Sequence, residues 1–246
     1  MKYQARKPDG GKLLTTGVSK PCWICGAPDT TTREHKIKRT DLKQVFGDFN
    51  QADPHYWMNG KDIKQVGSLK ADILKMGIRI CNECNSSRTQ PHDLAWERLS
   101  AWLNARRPRI RTGTAVRCNR VFPCHTRREL TKAHLFFVKL FGGMVAEAGN
   151  TPIPVEPYSN AIMTGRAHPE VYLQIGEGDR TVGWSNLTIG QIPSGQYIAL
   201  WLYRLDRFFM HVVYAQAGAA WEKLGRLWHP RFGTNKLTAR DFSAQE

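Results

Sequence analysis

The sequence contains no apolar run approaching the roughly 18 residues that a membrane-spanning helix needs. Its opening stretch, MKYQARKPDGGK, has no apolar core of the kind that marks a secretory signal, so a cytoplasmic protein is expected. Internal repeats and low-complexity tracts are also absent. Acidic side chains are scarce: 21 Asp+Glu stand against 36 Lys+Arg, which leaves a formal net charge of +15. So basic a balance points to a polyanionic partner, DNA first with RNA also allowed, in preference to a membrane surface. It is compatible with a monomer or a homodimer. In a reducing compartment the six cysteines are expected to bind metal before they form disulfides.

The chain, at 246 residues, suits one large domain or two modest ones with a substantial core. Residues 1–20 are polar and basic and read as an arm. TTTREHKI (30–37) is rich in β-branched residues and reads as a short strand. Thr40 is placed to cap a helix over DLKQVF that Gly47 would end. Residues 48–67 read as a loop anchored by Tyr56 and Trp57, Ser68 as the cap of a helix LKADILKM, and IRI as a strand leading to Cys81. Pro91 suits the first turn of a helix whose stripe is Leu94, Leu99, Trp102 and Leu103. Farther on, Leu130, Ala133, His134, Phe137, Val138 and Phe141 share one face of a buried helix. VYLQIG, TVGWSNLTIGQI, YIALWLYRL and FFMHVVYA read as strands, the last two as a hairpin turning at Asp206-Arg207. A last helix is expected over AGAAWEKLGRLWH, stopped by Pro230.

The strongest signal is a pair of C-x-x-C knuckles, Cys22/Cys25 and Cys81/Cys84. Four thiolates placed tetrahedrally satisfy zinc completely and leave no open position, so the metal would be structural. If zinc joins the knuckles, it draws three groups toward one place: the carboxylate of Glu34, the imidazole of His35 and the amide of Asn85, which follows the last cysteine.

With C-W-I-C, Glu34-His35 and C-N-E-C-N in this order, residues 20–105 resemble the HNH, or ββα-metal, endonucleases, nearest in layout to the phage recombination endonuclease VII branch. The resemblance implies an α+β architecture: a zinc-stapled ββα-metal nuclease domain (21–105), an arginine-rich connector (106–128) and a mixed C-terminal domain with an antiparallel sheet (129–246). It implies DNA phosphodiester hydrolysis with His35 as general base, and Glu34 and Asn85 holding one catalytic Mg²⁺ or Mn²⁺. The family often has aspartate where this chain has Glu34, and its middle asparagine has only a positional candidate, Asn59. The competing expectation is a non-catalytic zinc module that binds DNA or RNA.

Phosphate contacts are expected from Arg88 and from the connector, where Arg106, Arg107, Arg109, Arg111, Arg117, Arg120, Arg127 and Arg128 occur without an acidic residue. His92 is read as packing or capping a helix, and His134 as a core histidine. Cys118 and Cys124 are read as free thiols, with a second metal site as the alternative.

Overall fold

The computed structural model describes residues 20–59, 62–106, 110–220 and 224–240, so the basic arm lies almost wholly outside them. Behind the first knuckle, the expected TTTREHKI strand survives as two isolated antiparallel bridges, Thr32 to Ile80 and His35 to Lys75. The Met76 N–H donates to the Glu34 carbonyl at 2.8 Å between them. This pairing also explains why the helix expected over residues 69–76 shrinks to one 3₁₀ turn, Asp72–Leu74. Lys75 and Met76 are taken up by the neighbouring segment, and tertiary pairing overrides local propensity. Helix α1 (Arg39–Phe46) ends at Gly47, whose φ of 75° favours glycine. Lys38, not Thr40, occupies its N-cap position.

Where a loop was expected, β1 (His55–Asn59) and β2 (Asp62–Val66) form an antiparallel hairpin. The second knuckle leads into a π-helical turn, Glu83–Arg88, and then into α2 (Gln90–Asn104), with Pro91 in its first turn. Beyond the connector come β3 (Ala115–Arg117), α3 (Thr126–Ala148), α4 (Glu156–Thr164), β4 (Val171–Trp184), β5 (Thr188–Gln191), β6 (Tyr197–Ala215) and β7 (Lys236–Thr238). Among the described residues all the sheets are antiparallel: β1 with β2, β3 with β7, and a three-stranded sheet in the order β4-β6-β5. The molecule is therefore a mixed α+β protein.

One expected hairpin is absent. β6 runs straight through Asp206-Arg207, a pair that lacks the glycine favoured in two-residue turns. Asp206 instead takes a φ of 57°, and the register against β4 slips between Glu177 and Thr181, which marks a bulge. The final helix is likewise reduced: the described part of AGAAWEKLGRLWH contains a single turn, Leu224–Arg226, and residues 221–223 lie outside.

The core is organised around α3. Its expected face is buried, but Leu135, Phe136 and Leu140 are buried too, as in a helix covered on every side. Trp96 of α2 stacks on Phe136, with ring centroids 5.5 Å apart, and meets Phe137 edge-on at 4.6 Å. One hydrophobic cluster holds residues from Cys22 to Ala239, among them Ile110, Val116, Val121 and Phe122 of the expected connector. The first knuckle is itself docked on this helix. A Cβ at Gly142 would lie 2.8 Å from both Trp23 and Tyr158, and one at Gly143 would lie 2.7 Å from Met76 Sδ. Only glycines let the knuckle tryptophan seat that closely. Ser159 of α4 adds a hydrogen bond to the Ile24 carbonyl at 2.5 Å.

Candidate metal centre

The sulfurs of Cys22, Cys25, Cys81 and Cys84 all lie within 4.8 Å of one another. Zn–S bonds of about 2.3 Å in a tetrahedron require sulfurs about 3.8 Å apart, so the four cysteines fit a structural zinc ion. Each knuckle is shaped for ligation. Gly26, with a φ of 75°, turns the chain so that its N–H reaches the Cys22 carbonyl at 2.7 Å. In the second knuckle the Cys84 N–H donates to Cys81 Sγ at 3.4 Å. The thiols differ electrostatically. Burial opposes ionisation of Cys25, but hydrogen bonds from the Ala27 backbone and the neighbouring thiols outweigh it and hold the group down at about 7. Burial raises Cys81 and Cys84. Among the described residues this is the only cluster of three or more His, Cys, Asp or Glu side chains close enough to hold a metal.

Arg88 belongs to this centre. Its Nη1 donates to Cys84 Sγ at 3.0 Å, a contact that favours the thiolate form against the effect of burial. Asn85, directly after Cys84, lies in the π-helical turn, half-buried, with its N–H on the Cys81 carbonyl at 3.1 Å.

His35 is oriented from one side. Its Nε2 meets the Leu69 carbonyl at 3.1 Å, which fixes the proton on Nε2. Nδ1 is left as the acceptor, with no hydrogen-bond partner among the described residues. Burial lowers the imidazole pKa below its ordinary value, against the opposing pull of the Leu69 carbonyl and Glu34.

Glu34 is placed differently from the expectation. One carboxylate oxygen accepts the His35 N–H at 3.1 Å, and the other accepts from Lys139 Nζ of α3 at 2.7 Å. Lys139 also donates to Asp93 at 2.7 Å and to Thr89 at 3.3 Å. Its side chain is only 1% exposed, yet the two carboxylates outweigh the effect of burial and raise its pKa. Both Glu34 oxygens thus accept hydrogen bonds, one from the backbone beside them and one from a buried ammonium. The pattern missed in the sequence was P-H-D at 91–93: Asp93 anchors Lys139 and also pairs with Lys38 at 3.1 Å. His92, buried against Lys139, falls to about 4.

The connector arginines divide into groups. Arg106 stacks on Trp102 at 4.1 Å, and Arg111 is ion-paired with Glu177. Arg117 and Arg120 are exposed and without partners among the described residues. Arg107 and Arg109 lie outside those residues. Asn59 ends β1, opposite Asp62. His134 is fully buried on the Val171 carbonyl at 2.8 Å, as expected of a core histidine. Cys118 and Cys124 are free thiols, the former buried and pushed up to about 12, the latter exposed.

Among the described residues no helix is long and apolar enough to cross a membrane. Comparison with protein-family models, with curated proteins and with solved structures gave no match. The fold and site therefore define an α+β protein with a four-cysteine cluster that could hold a metal ion such as zinc.

Proposed function

We propose that the chain hydrolyses DNA phosphodiesters, with His35 as the general base. The observation that carries the reading is the imidazole itself: Nε2 is anchored on the Leu69 carbonyl and Nδ1 is left as an acceptor. A neutral imidazole held this way can take a proton from water as the water oxygen attacks phosphorus and the bond to the leaving oxygen breaks. The order of elements supports it. Two antiparallel segments, around Thr32–His35 and Lys75–Ile80, precede the π turn and α2, the order the ββα-metal resemblance implies. The net charge of +15 suits the substrate. With Glu34 engaged, no step is assigned to a divalent cation.

A second reading is favoured by that same engagement. If Glu34 serves only the buried lysine, the protein is a zinc-stabilised module that binds nucleic acid without cutting it. Nicking of supercoiled plasmid by zinc-loaded protein separates the two, run with Mg²⁺ or Mn²⁺, with EDTA, and with His35→Ala. Nicking that disappears in His35→Ala upholds the hydrolase. Equal nicking by the variant, or none by the wild type, supports the binding module.

A further inference from the structure

A second site lies beside the segment that carries His35. The β1-β2 hairpin, α1 and the end of β4 enclose a cavity of about 400 Å³, within the roughly 300–1,000 Å³ of small-ligand sites. Its walls mix aliphatic side chains with the aromatic rings of Phe46, His55, Tyr56, Trp57 and Trp184. Trp57 and Trp184 face one another with ring centroids 6.4 Å apart and 27° between their planes. His55 is held by Phe46 at 4.4 Å and by Phe49 at 4.7 Å. At the mouth, Tyr56 is 64% exposed and Met58 69% exposed. These are large apolar side chains that a two-stranded hairpin leaves in water without an evident folding reason.

The charge on this cavity is one-sided. Among the described residues no carboxylate lines it. Arg204 does, and its side chain has no hydrogen bond or ion pair among the described residues. Lys36 Nζ, itself ion-paired with Glu147 at 3.8 Å, lies 5.6 Å from the Trp184 ring centroid and so adds little free charge. Aromatic faces with an unpaired cation beside them suit a flat, aromatic ligand that carries negative charge. Few groups in the wall could read the edges of such a ligand, so recognition would rest on stacking and on the phosphate.

We propose that this cavity is a stacking pocket for an unpaired base of single-stranded DNA, with Arg204 on the adjoining phosphate. Intact duplex cannot enter it, because its bases are already stacked, whereas a single strand or a locally opened duplex offers the free face. Ile37 and Leu74 form part of the wall, and His35 lies two residues before the first and bridges to Lys75 beside the second. The pocket therefore adjoins the segment assigned to chemistry and defines the substrate as single-stranded or distorted DNA. The proposal rests on the nucleic-acid reading above but does not require cleavage.

The test uses the zinc-loaded full chain and a fluorescein-labelled thymidine oligonucleotide carrying one 2-aminopurine, as a single strand and as a duplex. Tighter binding of the single strand is expected, with quenching of the 2-aminopurine as it stacks. Tyr56→Ala, at a position exposed enough to spare the fold, should weaken single-strand binding by about 5- to 150-fold, the range for loss of a stacked base. Duplex binding should change little. Arg204→Gln should weaken single-strand binding and reduce its salt dependence. His35→Ala should retain the quenching; absence of nicking by the wild type would count against the hydrolase alone and leave the pocket standing. Unchanged single-strand affinity in both Tyr56→Ala and Arg204→Gln would overturn the pocket even if plasmid is nicked. So would the absence of single-strand preference, or a self-association through this face that Tyr56→Ala abolishes while oligonucleotide binding persists.

Discussion

Lys139 Nζ lies 2.7 Å from Glu34 Oε2, an ion pair that joins residues 105 positions apart across the expected domain boundary. Asp93, at 2.7 Å, completes the arrangement, so one buried ammonium is shared by two carboxylates that are 12% and 11% exposed. Removing the cation leaves two desolvated negative charges facing each other. Lys139→Met should therefore destabilise the protein by about 3–5 kcal/mol, the typical result of breaking a buried pair from one side. Adding Glu34→Gln and Asp93→Asn should recover part of the loss. Urea denaturation of the single and triple variants measures both effects, and a wild-type midpoint in Lys139→Met would show that the pair has no structural weight.

The metal centre should report on the whole molecule. Trp23, inside the first knuckle, sits in the notch at Gly142 and Gly143, and Ile24 is bonded to Ser159. Loss of zinc should loosen α3 and α4 as well as the knuckles. Elemental analysis should find one zinc per chain, and Cys81→Ser should lose it together with cooperative unfolding of the full chain. Structural zinc typically contributes about 10–16 kcal/mol of apparent binding free energy. A Cys81→Ser protein that unfolds like the wild type would leave the four thiols without a structural role.

His35 makes a prediction about pH. Burial holds its pKa below the ordinary value of about 6.5. A general base must be unprotonated to work, so the rate should hold through neutral pH and fall only below about 6.5. His35→Ala should reduce the chemical step by about 10²- to 10⁴-fold while single-strand affinity persists. Single-turnover rates between about pH 5 and 8 decide the matter, and a rate that falls already above pH 7 would point to a different base.

The four-cysteine cluster was visible in the sequence, because its signals are local. C-x-x-C spacing survives any fold, and helix faces such as Leu130 to Phe141 repeat at a fixed period. Pro91 and Gly47 mark helix ends for steric reasons of their own. What escaped depends on partners distant along the chain. The partner of Glu34 is Lys139, a lone basic residue on an apolar helix, and nothing in its spacing announces two carboxylates. The segment from Leu69 to Met76 has good helix formers, yet its end is captured by Glu34 and His35. Asp41 likewise carries no local sign that Trp96 and Ser100 will donate to it at 2.7 and 2.6 Å, nor that Tyr203 joins them.

The exposed arginines should carry the salt dependence. Arg117 and Arg120 are free of partners among the described residues, whereas Arg88 is tied to Cys84, and Arg111 to Glu177. Replacing Arg117 and Arg120 by Ala should reduce the slope of log affinity against log salt by up to about 1.8 on duplex DNA, if each contacts one phosphate. Arg88→Ala should instead weaken the metal centre, read as faster loss of zinc to a chelator. Titration from low to high salt and chelator kinetics separate these roles, and an unchanged slope would remove Arg117 and Arg120 from the interface.

Acid should weaken the C-terminal half through three buried histidines packed together, His134, His168 and His229. His134 and His229 have ring centroids 5.3 Å apart, and His229 Nε2 meets the His168 carbonyl at 2.8 Å. Burial, with the neighbouring histidines, lowers His134 to about 3 and His168 to about 4. Burial also lowers His229. These folded-state values lie below the unfolded value of about 6.5, so in this range the unfolded chain binds more protons than the folded one. Their contribution is complete above about pH 6.5 and declines as pH falls toward 3 to 4. Each such histidine adds up to about 1.4 kcal/mol per pH unit to the slope of stability. His134→Gln, which keeps a donor for the Val171 carbonyl, should flatten that slope by up to this amount between about pH 6 and 5, where most carboxylates are still ionised. Comparing variant with wild type at each pH cancels the separate loss of zinc in acid. Parallel slopes for the two proteins would mean that His134 is already protonated in the fold.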